Sequence, residues 1–285
     1  MVPGTGGDPP VTKMALAREL GIARSTLYYT PKIPEKDLAL KAQIETVWET
    51  HPAYGRVRLA IELRVNHKRI QRVMQLFEMK VPLTTKTPKK PDDQNQLPAP
   101  YPNLVKQLKP TAPGQIWAGD FTYIPLHGKF LYLATVMDIF TREILGWEVL
   151  TVHTVTLIRG AFLDAKARAG YIPLYHHSDQ GSEYKALSYL KEVEGLGIQV
   201  SMSKKASPWE NGYQESFYGK FKLELGSIQH CRTVGEAVAK IHTQIAYYNT
   251  KRIHTALKMQ PQIFRERYSH KMDENKAPER SKECV

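Results

Sequence analysis

The chain has 285 residues, 42% of them apolar, and a formal charge of +12; this is enough for one or two packed domains and too apolar for global disorder. Its two cysteines, Cys231 and Cys284, lie far apart, which excludes a disulfide framework or a cysteine-built zinc cluster and fits a reducing compartment. No apolar run approaches the roughly 20 residues that span a bilayer, and Met1 to Pro10 is Gly/Pro-rich without a signal-peptide stretch, so a soluble intracellular protein with no membrane partner is expected.

The positive surplus points to an anionic partner, nucleic acid foremost. Up to residue 112 there are 18 Lys/Arg against 10 Asp/Glu, so most of the excess sits at the front. Residues 1–81 read as a helical DNA-binding region. The segment ALARELGIARSTLYY has a helix-turn-helix rhythm: one helix through Leu20, a turn at Gly21, and a second helix opening at Arg24. Residues that open a recognition helix face the major groove, making Arg24, Ser25 and Tyr28 candidate contacts; an ordinary helical hairpin gives the same pattern. Apolar residues then recur at spacings of three and four: Leu38, Ile44, Val47 and Trp48, next Val57 and Ile61, next Ile70, Val73, Met74 and Phe77. Asn66 is placed to cap the last of these helices. Arg56, Lys68, Arg69 and Arg72 are candidate DNA contacts of this second unit, with a solvated face as the alternative. Residues 82–112, rich in Pro and Lys and without periodicity, read as a linker.

Residues 113–230 change grammar. QIWAGDFTYIPL, KFLYLATVMDI and REILGWEVL read as three strands joined by short turns, the first at His127-Gly128. A helix from about Thr154 to Ala169 follows, then the strand PLYHHSD, a helix from Tyr184 to Glu194, the strand GIQVSM, and helices over Ser207–Leu225 and Thr233–Asn249. The order β-β-β-α-β-α-β-α-α predicts an α/β fold, a mixed sheet with flanking helices. Residues 231–268 are expected to pack as C-terminal helices on this core, and 269–285 to form a charged, disordered tail.

Three acidic residues stand out. Asp120 lies inside the apolar strand WAGDFTYI, where strand propensity disfavours it and burial is costly unless the carboxylate is paired, hydrogen-bonded or on a metal. Asp179 ends the strand in HHSDQGSEY, at the sheet end where α/β folds place their chemistry. Asp138 also ends a strand, but Asp120 is preferred because it stands on the opening one. In SPWENGYQESFYGKFKLEL, Ser207 fits the N-cap, Pro208 the first helical position and Glu210 the capping-box position, leaving Glu215 without a structural task. With Glu215 at zero and about 100° per residue, Asn211 and Lys222 share its edge, while Tyr213, Phe217, Phe221 and Leu225 span an apolar arc from about 160° to 280°. Taken by itself, Glu215 reads first as a residue on a solvated face. His176 and His177 flank Asp179 and read as packing or phosphate-contact residues, Trp117 and Trp147 as core.

Asp179 and Glu215 have 35 residues between them. A strand Asp, a strand-end Asp and a helix Glu at this spacing resemble the D,D-35-E recombinases. The chain is similar to bacterial insertion-sequence transposases of the orfB type, whose core resembles retroviral integrases. The matching segments are YGRVRLAIELR with NHKRIQRVM, WAGDFTYI, MDIFTREILGW, HSDQGSEY, SPWENGYQESFYGKFKLE, and YNTKRIHTAL ahead of Pro261, in order over nearly all of 50–265.

The resemblance implies an RNase H-like sheet behind an all-α helix-turn-helix region. It implies a transposase that binds element ends, cleaves a strand and transfers the 3′-OH, with Asp120, Asp179 and Glu215 as catalytic residues holding two Mg²⁺ ions, for which Mn²⁺ can substitute. Asp120 would bridge the ions. Two such ions about 4 Å apart suit an in-line displacement, and hard Mg²⁺ prefers these oxygens to the neighbouring imidazoles. The family pattern has a basic residue seven after the Glu, here Lys222; Lys222 and Asn211 are candidates for holding DNA near the metals. Tyr248, Asn249, Arg252 and His254 fall in the C-terminal motif, as packing residues with Arg252 a further backbone contact. Double-stranded DNA is the implied partner, as element end and as target, with a homo-oligomer in the complex, in the bacterial cytoplasm on the nucleoid. A protein from an upstream reading frame, often fused by frameshifting in that family, is a candidate partner. A non-catalytic DNA-binding regulator and a purely hydrolytic RNase H-type nuclease are the competing readings.

Overall fold

The computed structural model describes residues 12–28, 34–81, 100–204 and 211–276, with side chains to 269. Helix α1 (Lys13–Glu19) is capped by Thr12, whose side chain accepts from the Ala15 amide, and ends at Leu20. Gly21 turns the chain at φ +62°, a left-handed conformation that glycine adopts without strain. The second element, Arg24–Tyr28, is a five-residue 3-10 helix and not the expected α-helix. Four of the six residues in Arg-Ser-Thr-Leu-Tyr-Tyr are Ser, Thr and Tyr, of middling helix propensity.

Helices α2 (Glu35–Thr50), α3 (Arg56–Glu62) and α4 (His67–Leu76) form a small core of Leu40, Ile44, Tyr54, Leu59, Ile70 and Val73. Asn66 caps α4 by accepting from the Lys68 amide at 2.9 Å. Leu38 and Val57, expected inside, are exposed. The buried stripe of α2 runs instead through Asp37, Leu40 and Ile44, because Asp37 turns inward to meet Arg72 at 2.7 Å and Arg69 at 3.7 Å. The small core takes in Ile253 from the far end of the chain: the Ile253 amide donates to the Tyr54 hydroxyl at 2.7 Å, and Arg58 Nε donates to the Ile253 carbonyl at 3.0 Å.

The central sheet has β1 (Ile116–Leu126), β2 (Lys129–Asp138), β3 (Ile144–Leu150), β4 (Tyr175–Ser178) and β5 (Gln199–Met202), in the spatial order β3-β2-β1-β4-β5. The first three strands are an antiparallel meander; β4 and β5 add in parallel, as strands joined through crossover helices do. Alternation along β1 feeds two cores. Ile116, Ala118 and Ile124 face α7 (Gly212–Leu225) and α8 (Val234–Thr250). Trp117 faces α5 (Val155–Ala169) and α6 (Leu187–Gly195). Helix α5 lies so close on β3 that a Cβ on Gly146 would stand 2.1 Å from the Ala165 nitrogen.

Both outer strands are covered by the chain itself. At β3, the amide of Ile144 donates to Asn249 Oδ1, that of Trp147 to Asp164 Oδ2 and that of Val149 to Glu148 Oε1. At β5, the Met202 amide reaches the Pro102 carbonyl and Ser201 Oγ accepts from the Leu104 amide. The end of the expected linker is therefore packed on the sheet, Tyr101 donating to Glu194 at 2.8 Å; the Pro/Lys-rich part, 82–99, lies outside the described residues, as do Ser207, Pro208 and Glu210. Thr233 caps α8, accepting from the Glu236 amide. A last helix, α9 (Pro261–Lys276), carries helical backbone past residue 268, where a disordered tail was expected. Among the described residues no helix is long and apolar enough to cross a membrane.

Candidate active site

Strand register sets the first pair of carboxylates. Ala118 of β1 pairs with His177 of β4 in parallel, the last pair of that ladder, so Asp120 and Asp179, each two residues further on, come to the same end of the sheet, near enough for their charges to interact. Asp179 lies just past the last residue of β4 and is held by the Gly181 amide, which donates to Oδ1 at 2.9 Å. Asp120 accepts from the Phe121 amide at 2.8 Å. Gly119 beside it has no room for a side chain, since a Cβ would meet the His176 ring at 3.0 Å and the Tyr184 hydroxyl at 3.2 Å.

Helix α7 brings the third. Gln214, fully buried, donates through Nε2 to the Ala118 carbonyl at 2.6 Å, and its Oε1 accepts from Thr135 Oγ1 at 3.1 Å. The Tyr218 hydroxyl donates to the Asp120 carbonyl at 2.7 Å. Glu215 lies between these two anchors, with its helix pinned to the strand that carries Asp120.

The electrostatics follow from this crowding. Burial first, then the charges of Asp179 and Glu215, push Asp120 up to about 8, against the pull of the Phe121 amide and Lys222. Burial also raises Asp179, opposed by the Gly181 amide, and raises Glu215. Asp120 is thus the member coupled to both others. Among the described residues no three acidic or imidazole side chains are gathered tightly enough to surround one ion; the carboxylates form two pairs that share Asp120. All the donors are carboxylate oxygens, the set a hard divalent cation takes, and a cation would relieve the repulsion that keeps a proton on Asp120. The residues fit such an ion.

The remaining candidates divide. Lys222 stands near the carboxylates, its Nζ 4.6 Å from the Tyr123 ring centroid. Asn211, expected on the exposed edge of α7, is buried against a neighbouring cavity. Tyr213, expected inside, is exposed and stacks under the Arg142 guanidinium at 3.8 Å; Gln214 and Tyr218 take its place. Arg252 is buried, 2% exposed, and ion-paired through Nε with Glu224 at 2.7 Å, so its first task is packing. Asn249 pairs with both main-chain groups of Ile144, and the Tyr248 hydroxyl donates to the Arg142 carbonyl.

Arg69 donates to the Lys36 carbonyl and Arg72 to Asp37; Arg56 pairs with Gln71. These three arginines are thereby tied to their own helical unit, while Lys68, Arg24, Ser25 and Tyr28 are exposed. Asp138 is excluded as the first acid: it is buried and consumed by the amides of Gly114, Phe140 and Thr141. His176 is a core residue, bonded to the Tyr189 hydroxyl and lowered to about 3 by burial and then by His177; His177 meets Ser201 Oγ. Trp117 is fully buried and Trp147 partly so.

The sequence did signal the anchors. At about 100° per residue Gln214 falls near 260° and Glu224 near 180°, both inside the apolar arc of α7. A polar residue in such an arc needs a partner.

Integrase core domain profiles match residues 110–208 and residues 196–261. The chain is 37% identical over 227 residues to the transposase for insertion sequence element IS904 of Lactococcus lactis subsp. lactis (strain IL1403), spanning 76% of this chain and 89% of that protein. It is 32% identical over 272 residues to the insertion element IS600 uncharacterized 31 kDa protein of Shigella sonnei, spanning 90% and 99% respectively. Among solved structures, a chain of the simian T-cell lymphotropic virus intasome in complex with PP2A regulatory subunit B56 gamma superposes with a TM-score of 0.50 at 15% identity, covering 86% of this chain and 77% of that one; at that identity the likeness concerns the fold. With the meander-plus-parallel sheet, the paired carboxylates and the anchored helix in place, the chain belongs to the insertion-sequence transposases, built on an RNase H-like integrase core.

Proposed function

We propose that this transposase binds the ends of a mobile DNA element and joins them to target DNA through two successive phosphodiester reactions at Asp120, Asp179 and Glu215. The observation that carries the reading is the convergence of Asp120 on β1 and Asp179 just past the end of the adjacent parallel strand β4, with Glu215 on a helix held to β1 by Gln214 and Tyr218. Asp120 and Asp179 would hold one Mg²⁺, Asp120 and Glu215 a second. Bound there, the ions supply activation of the attacking oxygen and charge stabilisation for the leaving one.

The protein's part is positioning. Asp120 gives up its proton on cation binding, and the anchors fix the carboxylates before DNA arrives. In the first reaction water attacks a phosphorus at the element end and the 3′-oxygen leaves as a hydroxyl. In the second that 3′-OH attacks a target phosphodiester and another 3′-oxygen leaves. Attacking and leaving atoms are oxygens in both, so one site serves both steps. Lys222 offers its ammonium to a DNA phosphate beside the carboxylates. The front helices, through Arg24, Ser25, Tyr28 and Lys68, contact the element ends, and copies of the chain pair on them.

Joining of labelled element-end DNA to a target, with Mg²⁺ or chelator, tests this for the wild type and Asp179→Asn. Metal-dependent joining that disappears in the variant is expected. Binding without cleavage or joining would support a DNA-binding regulator instead, and cleavage without joining a hydrolytic nuclease.

A further inference from the structure

Beside the carboxylates, on the flank of α7 turned away from Glu215, the described residues enclose a cavity of about 780 Å³. Its wall carries Arg58 from α3, Arg142 from the β2–β3 turn, Lys220 from α7, and Arg252 and His254 from the segment after α8. With Lys106, which also lines it, five parts of the chain distant in sequence thus bring five cations to one hollow. Among the described residues Glu224 engages Arg252, through Nε.

The donors left over point to a missing partner. Arg252 is 2% exposed, yet its Nη2 meets no hydrogen-bond partner among the described residues. Arg142 Nη1 and His254 Nδ1 are also buried, with none among them. Buried guanidinium donors left unmade are costly, and these stand among like charges. Burial first, then Arg58 and Arg252, lower Lys220; burial, then Arg142, Arg252, Lys220 and Arg58, lower His254 to about 3. An anion in reach would stabilise an arrangement in which cations repel one another and keep donors free.

We propose that this cavity binds the phosphate of a nucleotide, with the Arg142 and Arg252 guanidinium groups as the fork and Lys220 as the closing charge. Planar guanidinium donors match phosphate oxygens in pairs. Neutral His254 adds a hydrogen bond without adding charge. The volume lies in the range of small-ligand sites, about 300–1,000 Å³, large enough for a whole nucleotide and larger than phosphate alone needs. The ligand is either one nucleotide of a DNA strand or a free nucleotide. The phosphate chemistry stands apart from strand transfer at the carboxylates; the DNA source rests on the transposase reading.

The test is thermal unfolding of the full chain in chelator, which removes metal at the carboxylates, at matched ionic strength. The probes are inorganic phosphate, dAMP and a short 5′-phosphorylated single strand, for the wild type, Arg142→Gln and Lys220→Gln. A saturable rise in Tm is expected, with affinity reduced about tenfold in each variant. Arg252→Gln is unsuitable, because it strands Glu224. A response to the single strand but not to dAMP identifies a DNA strand as the source; a response to dAMP but not to the strand identifies a free nucleotide. No saturable shift with any probe, or a shift unchanged in both variants, overturns the proposal. Loss of joining activity alone leaves these readouts untouched.

Discussion

Asp120→Asn is expected to make the metal-free protein more stable while abolishing joining. The carboxyl of Asp120 titrates at about 8 in the fold against 3.8 in a free chain. At about 1.36 kcal/mol per pK unit the full displacement is worth roughly 6 kcal/mol. Asp120 keeps part of its surface in contact with solvent, so water screens the effect, and ~2 kcal/mol is the working magnitude for one poorly compensated buried charge. The sign follows from proton linkage. Between the unfolded and folded values the native state binds the extra proton, so wild-type stability is fully present below about pH 4 and is lost as pH rises to about 8. The asparagine has no proton to lose. Its advantage is therefore absent near pH 4, grows through the window and is complete above pH 8, where it raises Tm by about 4–8 °C. Differential scanning calorimetry in chelator across this range reads it directly. Added Mg²⁺ should then stabilise the wild type and leave the variant unmoved. Equal melting of the two proteins at pH 9, or a gap that does not close towards pH 4, would refute the account of a strained carboxylate awaiting a cation.

Gln214→Leu removes the bonds to Ala118 and Thr135 and takes this donor from the Ala118 carbonyl, while Thr135 keeps its bond to Tyr218; a loss of about 1–3 kcal/mol and a fall in joining far larger than any fall in DNA binding are expected, read by urea unfolding and gel shift. Arg72→Ala leaves the buried Asp37 with Arg69 at 3.7 Å in place of the close Arg72 pair, and a loss of ~2 kcal/mol with the front helices is expected, visible as a lower urea midpoint; an unchanged midpoint with weakened DNA binding would instead make Arg72 a DNA contact. Gly146→Ala places a methyl against the α5 backbone and should cost more than about 3 kcal/mol, or prevent folding, by the yield of soluble protein and its Tm.

The sheet was legible because its strands carry two strong signals, apolar alternation and short turns, and Asp120 was legible because a carboxylate has no place in such a strand unless something holds it. Glu215 was found by elimination and spacing. The anchors Gln214 and Tyr218 were not found, although Gln214 lies in the apolar arc of α7, because an apolar arc was read for its hydrophobic residues alone. Leu38 was misplaced for the converse reason: periodicity counts apolar residues, and the stripe of α2 is begun by Asp37, whose burial depends on arginines 32 and 35 positions away. The same limit hid the cavity of Arg58, Arg142, Lys220 and Arg252. Each arginine reads locally as a surface charge, and tertiary structure alone brings them together.

The covered edges of the sheet bear on how copies meet. Asn249, Asp164 and Glu148 occupy amides along β3, and residues 102–104 lie along β5. A strand from a second molecule therefore finds no open ladder at these positions. If copies meet on DNA as the proposed function has it, these positions keep them from zipping together sheet to sheet, and the contact between them falls to side chains.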